Sequence, residues 1–157
     1  MTKEEKQIEL IKYCKLNLAT LDYYIEYEVL NIKTDDYDSK KHYLELKKVV
    51  EINFQKGRLT ILKQWFRDLT EMQIETKDFK FSAYLKEKTN YDIDIFKSFY
   101  DRIDKIIVKG KITTDNQFYD VKNVLNDVSD ENKYKENLEY LENELENMSN
   151  ILKESLL

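Results

Sequence analysis

Apolar residues recur every seventh position at Ile11, Leu18, Ile25 and Ile32, with Cys14 and Leu21 interleaved. That spacing predicts a long amphipathic helix over about 3–32. Ahead of it, Thr2-Lys3-Glu4-Glu5 has the form of a capping box, in which a threonine hydroxyl and a glutamate carboxylate satisfy the first free backbone N–H groups. Lys33 to Asp38 is polar and reads as a turn. A second stripe runs through Tyr43, Leu46, Val50, Phe54, Gly57, Ile61, Trp65, Leu69 and Met72. It predicts a second long helix over about 39–73, with Val49, Ile52, Leu59, Leu62 and Phe66 widening its apolar face. Joined by a short turn, the two helices should form an antiparallel hairpin. Cys14 would then lie level with Gly57, whose missing side chain permits close approach.

Shorter periodic segments follow. The spacing predicts helices over about 78–89, ending at Thr89-Asn90, and over about 92–109. The latter turns Phe96, Phe99, Tyr100, Ile103, Ile106 and Ile107 inward and has Gly110 as its C-cap. Thr114-Asp115-Asn116-Gln117 is a second capping box opening a helix over about 115–126, with Phe118, Val121 and Leu125 inward. Ser129-Asp130 caps a last helix over about 131–156, on the stripe Tyr134, Leu138, Leu141, Leu145, Met148 and Leu152. The β-branched alternation through Ile106–Ile112 admits a rival, an α+β fold with a small β-hairpin near 106–113. Zero prolines and two glycines weigh against it, because β folds need turn residues at short intervals. The expected class is all-α: one helical domain over 1–157, a long hairpin at about 3–73 plus three or four shorter helices at about 78–156.

Composition narrows the chemistry. At 41% apolar, 157 residues can build a core despite 36% charge. A single cysteine excludes a disulfide framework, and with a single histidine it cannot make a structural zinc site. Two glycines leave no phosphate-cradling loop. No apolar run approaches the ~18 residues of a membrane span, and MTKEEKQIEL lacks the apolar core of a signal peptide. The expectation is a cytoplasmic protein with no membrane partner, no metal and no cofactor. Lys, Asn, Ile and Tyr make up 61 residues while Gly, Ala, Arg and Pro make up 7, the skew of an AT-rich genome, bacterial or viral.

Catalytic constellations are weak. Cys14 and His42 would be roughly 22 Å apart along the predicted hairpin, too far for a thiol and its base. Carboxylate pairs such as Glu142 with Glu146 arise from composition, and nothing in the spacing places them in a cleft. Lys40, Lys41, Lys47, Lys48, Lys56, Arg58 and Lys63 make the start of the second helix basic, but three arginines in a chain of net charge −5 do not favour direct nucleic-acid binding. No enzyme is expected.

Two features point to protein binding. Opposite the heptad stripe, the first helix carries Leu16, Thr20, Tyr23, Tyr27 and Leu30, so it is either sandwiched in the bundle or covered by a partner. Tyrosine suits interfaces because it buries a ring and keeps its hydroxyl wet, which makes Tyr23 and Tyr27 candidate partner-binding residues. Charge is also uneven, with a net of −6 over 127–157 against +1 over 1–126. On the predicted last helix Glu136, Glu139, Glu146 and Glu154 share the face opposite Leu141, suited to steering a basic partner. The reading is a small protein-binding inhibitor. Its most concrete form is an immunity protein that neutralises a bacterial toxin, such as a nuclease, by occluding a basic surface. The alternative is a self-associating helical scaffold or adaptor subunit.

Overall fold

The structure, a computed structural model, describes residues 1–27 and 29–126. The described residues are all-α. Six helices follow one another: α1 (Lys3–Glu26), α2 (Ser39–Gln55), α3 (Leu59–Glu75), α4 (Lys80–Thr89), α5 (Ile95–Lys109) and α6 (Asp115–Asn126). The only β element among them is an isolated antiparallel bridge, Lys33 with Asp38. Ile106 and Ile107 lie within α5, and Gly110, at φ +80°, closes that helix, its N–H donating to the Ile106 carbonyl at 2.9 Å. The α+β alternative is therefore set aside. The expected helix over 131–156, with its acidic face, lies outside the described residues.

The chain resolves into two compact units, Met1–Ile95 and one that begins at Phe96. In the first, α1 is the central helix and packs against α2, α3 and α4. Lys47 meets Asp22 and Tyr43 meets Val29, so α2 runs antiparallel to α1. Asn17 bonds Leu62 and Tyr24 bonds Leu69 at the same sequence offset of 45, so α3 runs parallel to α1. Tyr84 meets Glu26 and Lys12 lies over Tyr91, so α4 returns antiparallel. The unit is an up-down-up-down bundle. Both sides of α1 are consequently buried: Cys14 and Leu21 on one, Leu16, Thr20 and Tyr23 on the other.

This corrects the expected long hairpin. Its second arm is not one helix over 39–73 but two, broken at Lys56-Gly57-Arg58. Gly57 sits at φ +67°; its N–H donates to the Phe54 carbonyl at 3.0 Å, while Arg58 N–H reaches the Asn53 carbonyl at 3.0 Å. That is the Schellman pattern, which closes a helix through one left-handed residue. A Cβ on Gly57 would meet nothing within 4 Å, so close approach to Cys14 is not what the glycine serves. The first helix also stops at Glu26 instead of near 32. Side chains of α2 capture the freed backbone: Ser39 Oγ accepts from Ile32 N–H at 2.6 Å and donates to its carbonyl at 2.9 Å, and Tyr43 Oη donates to the Val29 carbonyl at 3.2 Å.

The expected capping box forms at Thr2, and the N-cap half of one forms at Thr114. Thr2 Oγ1 accepts from Glu5 N–H at 3.1 Å and Glu5 accepts from Thr2 N–H at 2.7 Å. At α6, Thr114 Oγ1 accepts from Gln117 N–H at 3.2 Å, while Gln117 Oε1 accepts from Thr113 N–H at 2.8 Å, one residue before the cap. The second unit buries Phe99, Ile103 and Ile106 of α5 and Phe118, Val121 and Val124 of α6. Arg102 ties the two helices together, donating to both carboxylate oxygens of Asp120 at 2.9 and 3.1 Å. Asp120 is only 4% exposed.

Candidate functional site

The structure places the two residues of the weighed nucleophile–base pair, Cys14 and His42, in different surroundings. Cys14 is 8% exposed, and burial, helped by the Glu51 carboxylate, pushes its thiol above the ordinary range and away from nucleophilic use. His42 is exposed in the first turn of α2, with its ring 5.9 Å from that of Tyr37. Among the described residues no group of three or more His, Cys, Asp and Glu side chains could hold a metal ion. No described helix is long and apolar enough to cross a membrane.

The two described candidates, Tyr23 and Tyr27, separate. Tyr23, 6% exposed, belongs to the core, with its ring edge-on to Phe81 and to Tyr84 at 5.0 Å each. Its hydroxyl donates to the Asp78 carboxylate. Tyr27 is 58% exposed, yet its ring rests 4.7 Å from that of Tyr23 and 5.9 Å from that of Tyr84. Tyr84 Oη in turn donates to Glu26 Oε2 at 3.1 Å. Burial holds the Tyr23 and Tyr84 phenols far above their usual range, and their bonds to carboxylates add to it, so both stay neutral donors. Helical spacing explains the cluster: Tyr23 and Tyr27 are one turn apart on α1, as are Phe81 and Tyr84 on α4.

Beside this cluster runs the connection between α1 and α2. It exposes Leu30, Ile32 and Tyr37. Leu30 is left-handed at φ +52°, a conformation that costs a leucine about 1 kcal/mol or more. The segment is nonetheless tied down by the Ser39 and Tyr43 bonds, by Val29 N–H to the Tyr24 carbonyl at 3.0 Å, and by Thr34 N–H to the Tyr37 carbonyl at 2.7 Å. A cleft of about 230 Å³ opens next to it, lined by Tyr24, Val29, Asn31, Lys33, Asp38 and Tyr43 among others. No family model, curated protein or solved structure matches this chain. The four acidic candidates, Glu136, Glu139, Glu146 and Glu154, lie outside the described residues, so among the described ones the geometry offers Tyr27 and the 29–38 connection. Spacing had pointed to Leu30 and Tyr27 on one helical face; nothing in it marked Leu30, Ile32 and Tyr37 as a strained, ordered loop.

Proposed function

We propose that the protein binds another protein and acts as an inhibitor, most concretely as an immunity protein that neutralises a toxin by occluding a basic surface. The observation that supports this reading is the 29–38 connection together with Tyr27. It holds exposed aromatic and aliphatic side chains on a backbone fixed by hydrogen bonds from α2, so little conformational freedom is lost on binding. The net charge of −6 over 127–157 suits a basic partner and would act by steering its approach. Occlusion requires no chemistry from the inhibitor, only contact area and complementary charge.

Co-expression with the product of the adjacent gene tests it. The expected result is one-to-one complex formation and survival of cells that the neighbour alone kills. Stable self-association in dilute solution, with no protection, would instead favour the scaffold reading.

A further inference from the structure

We infer that an arginine side chain of the basic partner docks on the exposed ring of Tyr27, beside the carboxylate of Glu26. The inference rests on the reading of a basic protein partner and names its point of contact.

Four features of the surface support it. Tyr27 exposes more than half its area, although its ring is already positioned by Tyr23 and Tyr84, so a planar cation meets a preset aromatic face. Glu26 is exposed and oriented by the Tyr84 hydroxyl on Oε2, and no basic side chain pairs with it among the described residues. Glu26 and Asp22 both act on the Tyr84 phenol, reinforcing the upward shift that burial causes, and of the two Asp22 is already paired with Lys47 at 2.5 Å, which leaves Glu26 as the carboxylate open to a partner. A cation already occupies the neighbouring ring, with Lys88 Nζ 5.6 Å from the centroid of Tyr84.

Arginine fits better than lysine. Its guanidinium is planar, stacks on an aromatic face, and keeps its edge N–H groups free to reach a carboxylate in the same plane. An ammonium is a more strongly hydrated point charge with no planar face to stack and no paired donors to match a carboxylate.

The test uses the full chain with hexa-arginine and hexalysine peptides as probes, read by amide chemical shifts and by affinity. Hexa-arginine should bind more tightly than hexalysine and should shift Glu26, Tyr27 and Tyr84. Tyr27→Ala should weaken hexa-arginine about two- to fivefold, the range of an exposed cation–π contact. Glu26→Gln should weaken it as well, and Tyr27→Phe, which keeps the ring, should not. Unchanged helicity by circular dichroism will show that each variant is folded. Equal binding of the two peptides, unaffected by Tyr27→Ala, overturns the docking point and leaves the basic-partner reading standing. No binding of either peptide overturns both.

Discussion

Asn17 donates its amide to the Leu62 carbonyl at 2.8 Å and so ties α1 to α3, while its own Oδ1 is buried without a partner. An unsatisfied buried acceptor forfeits the hydration it had in the unfolded chain. Asn17→Leu, similar in volume, should therefore leave stability within about 1 kcal/mol of the parent in urea denaturation. Asn17→Asp buries a charge at the same place and should cost about 3 kcal/mol or more at neutral pH. Tyr24 gives a pH dependence. Burial pushes its phenol up to about 12, against a lowering bond from Gln73, and its hydroxyl donates to the Leu69 carbonyl. The folded state keeps a proton that the unfolded chain loses near pH 10, so this stabilisation is complete below pH 10 and declines between about 10 and 12. The slope is roughly 1.4 kcal/mol per pH unit for each such group. Tyr24→Phe should lower stability by about 1 kcal/mol at neutral pH and flatten the alkaline loss. Tyrosinate absorbance and denaturation across that range check both. The burial of Cys14 was legible from its type and stripe; which of Tyr23 and Tyr27 would be buried was not, since the two share one face. That face reads alike whether α4 or a partner covers it.

Helix ends show where local signals suffice and where they conflict. The Thr2 box forms, and Thr114 caps α6, because these hydrogen bonds lie within three or four residues of chain. At Gly57 the stripe Val50, Phe54, Ile61 continues through a residue that terminates the helix. The signal was present, a lone glycine after a lysine, yet apolar periodicity concealed it. Gly57→Ala should cost about 1 kcal/mol in thermal unfolding, from the left-handed backbone alone, since the added methyl meets nothing. In the second unit, Arg102→Ala leaves the buried Asp120 without its fork and should cost about 3 kcal/mol. Arg102→Lys should recover only part of that, because one ammonium cannot reproduce two parallel bonds.

For the molecule in solution, the acidic C-terminal region and the Tyr27 surface make separable expectations. Reversing Glu136, Glu139 and Glu146 to lysine should preserve helicity and slow association with a basic partner. The rate of the parent should also fall as salt rises, because screened rim charges act chiefly on encounter. Stopped-flow rates at two ionic strengths check this. Unchanged rates in the folded triple variant would shift the weight to Tyr27. Half-buried Trp65 provides the folding readout, with emission that should move red on global unfolding.

Helix content, the Thr2 capping box, the Thr114 cap and the stops at Asn90 and Gly110 were readable along the chain, because each depends on neighbours within about one or two turns. The all-α class follows from the same local rules. The folding back of α3 alongside α1, the early end of α1 and the burial of Tyr23 depend on partners 14 to 55 residues away: Val29 with Tyr43, Asn17 with Leu62, Tyr23 with Asp78. A seven-residue repeat specifies that a helix has an apolar face and leaves open what covers it. Long-range packing chose among those coverings, and in doing so left Tyr27 exposed.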